Sequence, residues 1–347
     1  MEKTIDKSNK PNRALVAERA GVSIATVSCV LNNTRTFSPE TREKVLAAVK
    51  ELKYVPDMAA RSMKTNQSYQ FAVIINDISN PMFLQLVSEL EKQGIKHNYF
   101  LNICGGYADF EVYVNQLIAR RIDGVFLAVK LNKLDSKLLD KLVDNGVRIV
   151  SGGGKDYNNY RTDVTYVNID MKGGLDSHFR LLKSLGHKKA AYLSAFPADD
   201  MDDGRVRLFC ELSEKYFGEK KPFVFSKDTF IDTNIENGYR MGQEMLQRLD
   251  GYTAVIATND LMAMGFIKAM RDNGLHCPED ISVLGIDNNA LSAVFEPSIT
   301  TFGPDYTEYA KAIFDLLFEK NADSGEHTVG IKHYVRESTG VARQRSK

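Results

Sequence analysis

Cysteine is sparse and scattered in this 347-residue chain. The four thiols, Cys29, Cys104, Cys210 and Cys277, form no C-x-x-C pair, which argues against a disulfide framework or a cysteine-based zinc site. The six histidines form no H-E-x-x-H or similar cluster, so neither a metal nor a cofactor is expected. No run of 18 apolar residues occurs, and none of the chain is expected to span a membrane. The first twelve residues, MEKTIDKSNKPN, have no apolar middle of the kind a secretory signal needs, which points to the cytoplasm. Enzyme signatures are missing too. The first strand-to-helix turn reads NDISNPMF rather than a G-x-G-x-x-G. SGGGKD, at 151–156, lacks the earlier glycine and the Ser/Thr after lysine that a phosphate loop requires. No Ser-His-Asp or Cys-His arrangement can be assigned, and no enzymatic activity is expected.

The formal net charge of zero hides an asymmetry. Residues 1 to 64 hold twelve Lys and Arg against seven Asp and Glu, a net +5, while the rest holds 33 against 38, a net −5. A basic first sixth on an acidic body suggests a small polyanion-binding module joined to something else. A length of 347 residues with 43% hydrophobic content supports two or three cores rather than one.

In the basic segment, Val16 and Ala20 share one helical face, as do Val27, Val30 and Leu31. Gly21 lies between the two runs, where a tight turn needs a left-handed backbone. Ser23 is placed to cap the second helix. Ala17 is small enough for two helices to cross closely. Two short helices joined by a glycine turn describe a helix-turn-helix, whose outer positions Ile24, Ala25, Ser28 and Cys29 would meet base edges in the major groove. A third helix opens with Ser38 as cap and Pro39 at its first position, with Val45, Leu46, Val49 and Leu52 as the expected buried stripe.

From Phe71 onward the texture changes. FAVIIN (71–76), FLNIC (100–104), GVFLAV (124–129), VRIVS (147–151), TYVNI (165–169), AAYLSA (190–195), PFVFS (222–226), AVIAT (254–258) and ISVLGI (281–286) read as buried strands alternating with helical patterns. That alternation predicts two doubly wound parallel sheets, with ligands beyond the carboxyl ends of the strands. The polar residues at those ends include Asp77, Ser79, Asn80, Asn168, Asp170, Asn259, Asp260, Asp287 and Asn288, with Arg205 opening a helix. Carboxylates, amides and an arginine suit the hydroxyls of a sugar. Each one alone also suits a helix cap; their repetition at strand ends is what favours a polar cleft.

VAERAGVSIATVSCVLNN followed by SPETREKVLAAVKELKYVPDMAARSMKT resembles the head of the LacI/GalR family of transcriptional regulators. NDISNPMF, RRIDGVFL, SLGHKKAAYLS, TNDLMAMGFIKAMRDNGL, CPEDISVLGIDN, PSITTF and VRESTG resemble its body landmarks in order, so the likeness spans nearly the whole chain. It implies a helix-turn-helix head over 1–55, a hinge helix and linker over 56–69, and an effector and dimerisation domain over 70–347. The body's two periplasmic-binding-protein-like lobes would comprise 70–164 with 302–330, and 165–301 with 331–347, joined by three chain crossings. It implies a homodimer on a palindromic operator, associated with the nucleoid when bound. By motif match, Ser23, Thr26, Ser28 and Asn32 would support phosphate and groove contacts, and Ile24, Ala25 and Cys29 would read bases. Ala60, Met63 and Lys64 belong to the hinge, with Met63 the apolar wedge that kinks the central base step. Asp77, Asn80, Asp170, Arg205, Asn259 and Asp287 would face the effector, a sugar or, alternatively, a nucleobase or nucleoside. A protein co-effector and, on the same fold, a solute-binding protein are the other readings.

Three positions depart from the family pattern. Cys29 stands where an arginine or other polar reader is usual, Leu15 where an aspartate is usual, and Gly153 where the strand usually ends in an aspartate. Loss of a bidentate arginine contact removes roughly 1–3 kcal/mol of base discrimination. Three glycines at 152–154 imply either a close approach of backbone to ligand or a wider pocket, and an effector larger than a simple hexose or differently held. The ending VARQRSK carries no heptad run, so a coiled-coil tetramer is not expected.

Overall fold

A computed structural model describes residues 11–32, 35–56, 62, 65–75, 77–106, 110–128, 134–152, 161–198, 204–319 and 325–343, without the side chain of Asn32. The chain divides into two compact units between Ser68 and Tyr69.

The first unit is helical: α1 (Arg13–Ala20), α2 (Ile24–Asn32) and α3 (Pro39–Glu51). Asn12 caps α1 by accepting from the Leu15 N–H at 3.0 Å. Gly21 ends it at φ 65°, its N–H returning to the carbonyls of Ala17 and Glu18, a left-handed cap that glycine adopts without a Cβ penalty. Ser38 caps α3, with Pro39 in its first turn. Val16, Ala17, Ala20, Val27, Val30, Val45, Ala48 and Tyr54 form the core, with Val22, Leu31, Phe37, Val49 and Leu52 at its margin. Leu46 is the exception to the expected stripe at 44% exposed: Val45 and Ala48, three apart on the inward face, do the packing, and Leu46 is turned about 100° away from Val45.

The second unit runs β1 (Gln70–Ile75), α4 (Pro81–His97), β2 (Phe100–Gly105), α5 (Phe110–Ala119), β3 (Gly124–Ala128), α6 (Ser136–Asp144), β4 (Arg148–Ser151), β5 (Thr165–Ile169), α7 (Met171–Ser184), β6 (Ala191–Leu193), α8 (Gly204–Phe217), β7 (Val224–Phe225), α9 (Ile235–Leu246), β8 (Ala254–Ala257), α10 (Asp260–Asp272), β9 (Ser282–Leu284), β10 (Thr301–Pro304), α11 (Tyr306–Phe318), β11 (Glu326–Val329) and β12 (Ile331–Tyr334). One parallel sheet has the order β11-β5-β4-β3-β1-β2 and a second the order β7-β6-β8-β9. Each is covered on both faces, which explains why its central strands are continuous apolar runs.

The chain passes between the lobes at β5–α7, along β10 and between β11 and β12. β10 and β12 pair antiparallel, Phe302 opposite His333. A lobe boundary at 165 is corrected by the strand pairing. Thr165–Ile169 hydrogen-bonds between β4 and β11 and so belongs to the first sheet, and the chain leaves that lobe only at Asp170.

Two helices of the second lobe approach backbone to backbone. A Cβ on Gly265 of α10 would lie 2.2 Å from the Ile235 carbonyl, and one on Gly238 of α9 would lie 2.5 Å from the Met262 carbonyl. Only glycine permits that approach, and it fixes α9 against α10.

Candidate functional sites

In the helical unit, α2 carries the residues singled out from sequence. Ser23 accepts from the Thr26 N–H at 3.0 Å and exchanges a hydroxyl bond with Thr26 at 2.9 Å, so both hydroxyls help hold the helix start. Val27 and Val30 point into the core. Ile24, 53% exposed, and Ala25 lie on the open face, while Ser28 and Cys29 are half-buried beside it. Arg19 pairs with Glu51 at 2.9 Å and ties α1 to α3; both are exposed, so the pair adds little stability. Ala60, Met63 and Lys64, most of the hinge segment and the Asn32 side chain lie outside the described residues.

In the body, the carboxyl ends of the second sheet gather a distinct group. Arg205, near the start of α8, lies with its guanidinium 4.7 Å over the Phe196 ring and its Nη1 3.5 Å from the Thr258 carbonyl. Phe196 follows β6, and its ring centroid is 5.1 Å from that of Phe230, which is 45% exposed. Asn259 follows β8 and is buried. It caps α10 by accepting from Met262 N–H at 2.9 Å and donates to the Thr233 carbonyl at 3.1 Å. Asp287 follows β9. Burial pushes its carboxyl up to about 7, and the Arg205 charge opposes that rise. Behind it, the fully buried Asp260 is also raised well above the ordinary carboxylate range, first by burial and then by the Asp287 charge. Its Oδ2 accepts from the Asn289 N–H at 2.9 Å.

Arg205, Asn259 and Asp287 are therefore brought to one strand-end region. Phe196, Phe230 and Asp260 join them there; of these the sequence had marked only Asp260, as a polar residue at a strand end. Phe230 had a signal, an isolated aromatic in the polar stretch SKDTFIDT; Phe196 is recognisable only by its neighbours. Asp77 and Asn80 stand at the end of β1 in the first lobe. Asp77 accepts from the Ser79 N–H at 2.8 Å and hydroxyl at 2.7 Å; the buried Asn80 caps α4 by accepting from Met82 N–H at 3.0 Å. Asp170 caps α7 at the crossing, accepting from Gly173 N–H at 2.9 Å.

Gly153 and the rest of 153–160 lie outside the described residues. Gly152 is held to glycine by packing rather than by an open pocket wall: a Cβ would lie 2.8 Å from Phe126 and 2.9 Å from the Tyr309 hydroxyl. Among the described residues no group of three or more His, Cys, Asp and Glu is placed to hold a metal ion. No single helix there is long and apolar enough to cross a membrane.

Comparison with known proteins is consistent across the chain. The family model described as bacterial regulatory proteins, lacI family, matches residues 16–57, and the periplasmic binding protein-like domain matches residues 179–339. The chain is 33% identical over 322 residues to the HTH-type transcriptional repressor PurR of Mannheimia succiniciproducens, covering 91% of this chain and 94% of that one. It is 31% identical over 332 residues to the HTH-type transcriptional regulator RegA of Clostridium saccharobutylicum, covering 93% and 98%. Among solved structures, the complex of transcriptional regulator CelR with cellobiose matches at a TM-score of 0.66 and 25% identity, covering 94% of this chain and 99% of that one. The lac repressor dimer bound to operator and the anti-inducer ONPF matches in fold at a TM-score of 0.71 and 24% identity, covering 94% and 98%.

Proposed function

This chain belongs to the lacI family of bacterial regulatory proteins, DNA-binding transcriptional regulators rather than enzymes, and we propose that it is a homodimeric repressor of carbohydrate-use genes governed by a sugar-like effector. The observation that carries the effector reading is the meeting of Arg205, Asn259 and Asp287 beside Phe196 and Phe230. A charged donor, an amide and a carboxylate bond ring hydroxyls, while an aromatic face packs the apolar side of a sugar ring. The CelR complex with cellobiose supports the same class. A second reading, a nucleobase, is favoured by the Phe196–Phe230 ring pair, since a flat heterocycle stacks on such rings and bonds a buried carboxylate through its edge.

A ligand bonded to both lobes changes their relative population of orientations, and the paired hinge segments hold or leave the operator accordingly. Ile24, Ala25 and Cys29 read bases, Ser23, Thr26, Ser28 and Asn32 support them at the phosphates, and Ala60, Met63 and Lys64 act at the centre of a palindrome. Dimerisation is supported by a row of exposed apolar side chains on α4 and the neighbouring edge strand β2: Leu84, Ile95, Phe100 and Ile103. The site of action is the cytoplasmic nucleoid. Calorimetry with cellobiose, ribose and hypoxanthine, paired with anisotropy of a palindromic duplex from upstream of the gene, tests the reading. Saccharide binding that shifts operator affinity supports it; hypoxanthine alone doing so selects the second reading.

A further inference from the structure

Asp287 and Asn288 both have positive φ, 105° and 51°, in consecutive non-glycine residues. Such backbone persists only where its surroundings over-determine it, and it concentrates where function needs it. Most of the holds on this turn come from the second lobe and the crossing segments. The Asp287 N–H donates to the Phe302 carbonyl at 2.8 Å and the Asn288 N–H to the Thr301 hydroxyl at 3.2 Å. The Asn289 N–H reaches Asp260, and Arg336 Nη2 donates to the Asn288 side-chain oxygen at 2.7 Å.

One hold comes from the other lobe. The Tyr306 hydroxyl donates to the Asp287 carbonyl at 2.7 Å. Tyr306 opens α11, and its ring is buried in the first-lobe core with Phe71, Val73, Phe126, Ile313 and Phe314. β10 also presses on the same peptide: a Cβ on Gly303 would lie 2.3 Å from the Asp287 carbonyl oxygen. The peptide whose side chain faces the strand-end cluster is thus bonded to the opposite lobe through one phenol.

We propose that Tyr306 is a positioning residue that ties the Asp287 turn to the first lobe, so that rotation between lobes re-aims the Asp287 carboxylate. This rests on the reading of Asp287 as an effector ligand. Coupling is then reciprocal: a ligand held by Asp287 biases lobe orientation, and lobe orientation sets how well Asp287 meets the ligand. The phenol acts on backbone rather than on ligand, so its removal leaves every proposed ligand-facing side chain in place.

Tyr306→Phe keeps the ring in the core and deletes only the hydroxyl; Tyr309→Phe deletes a buried hydroxyl one turn along the same helix and serves as control. Hydrogen–deuterium exchange is followed in the full-length, ligand-free protein over residues 284–290. The expected result is about five- to tenfold faster exchange at Asp287, Asn288 and Asn289 in Tyr306→Phe, the loss of one hydrogen bond, and none in Tyr309→Phe. Unchanged exchange in Tyr306→Phe, or equal acceleration in both variants, overturns the proposal. Calorimetry with cellobiose and hypoxanthine gives the second arm. With a probe that binds wild type, Tyr306→Phe is expected to weaken binding about tenfold and Tyr309→Phe to preserve it; an unchanged Kd in Tyr306→Phe overturns the coupling. If neither probe binds wild type, the effector reading under Proposed function loses its support, and the exchange result alone decides the clamp.

Discussion

His178 Nδ1 lies 2.9 Å from His333 Nε2, while His178 Nε2 lies 2.7 Å from the Gly285 carbonyl. A carbonyl only accepts, so His178 donates through Nε2, its Nδ1 is the bare acceptor, and His333 donates through Nε2. This chain of two rings ties α7 to the crossing strand β12 and to the end of β9. It requires a neutral His178, whose Nδ1 must accept, and burial pushes His178 down to about 3, reinforced by His333. A histidine whose folded value is depressed contributes stability that is full above its ordinary value of about 6.5 and lost as pH falls toward the folded value. We expect the His178 contribution to the stability of the body to fall as pH drops from 7.5 to 5, against an opposite contribution from Asp287. His178→Gln should be less stable by about 1–3 kcal/mol at pH 7.5, with the gap narrowing on acidification. A gap independent of pH would refute this assignment of the rings.

Asp287 has the opposite sign. An acid with a raised folded value keeps its proton in the fold between about 3.9 and about 7, where the unfolded chain has released it; stability therefore falls as pH rises through that window. Asp287→Asn removes the effect, so the variant should gain stability relative to wild type between pH 4 and 7 and hold a constant difference above. Arg205 and Arg336 remain charged in both proteins, while Asp260 and Tyr306, which the Asp287 charge helps push up, shift back down in the variant and add to the difference. A ligand that donates to the Asp287 carboxylate should bind more tightly above pH 7 in wild type and lose that pH dependence in Asp287→Asn. Urea titrations and calorimetry at four pH values check both.

At the helix-turn-helix, Gly21→Ala forces a side chain into φ 65° and should cost about 1–2 kcal/mol, and Ser23→Ala about 1 kcal/mol through the lost cap. Both should appear in the melting of the helical unit followed by circular dichroism, with the body's transition unmoved.

Cys29 is half-buried on α2, short and weakly polar. Cys29→Ser should leave operator affinity within about twofold, whereas Cys29→Arg should add about 1–3 kcal/mol of preference for guanine at the facing base pair. Anisotropy against operator variants, at two salt concentrations, separates that preference from a general phosphate attraction, which would steepen the salt dependence for every sequence. Equal affinity of the arginine variant for all four bases at that pair would place the side chain away from the base edges.

The central strands were plain in the sequence because a strand covered on both faces is an uninterrupted apolar run; FAVII of β1 is buried at every position. β10, β11 and β12 were not. IKHY and EHTV are short and only partly buried, and TFGP carries glycine and proline, so none shows a strand's usual signature. Asn80, Asp170 and Asn259 were readable as caps from their place before helices, and they do cap. Their proposed service to a ligand depends on the space between elements, which no local pattern encodes. Tyr306 and Asp260 act through contacts with residues about twenty to thirty positions away, and Leu46 failed because a helical stripe drawn one residue too wide takes in its neighbour.

The glycine contact between α9 and α10 has a bearing on how the proposed effector site could change its ligand. Asn259 sits at the start of α10, and Phe230 precedes α9 by five residues; with Gly238 and Gly265 letting the two backbones touch, that side of the proposed pocket would behave as the fixed jaw of a caliper. Substituting either glycine wedges the helices apart instead of widening the opening by a controlled amount. On the effector reading, descendants that take another ligand would work the opposite jaw, in the first-lobe segment around Asp77, while this one is inherited unaltered.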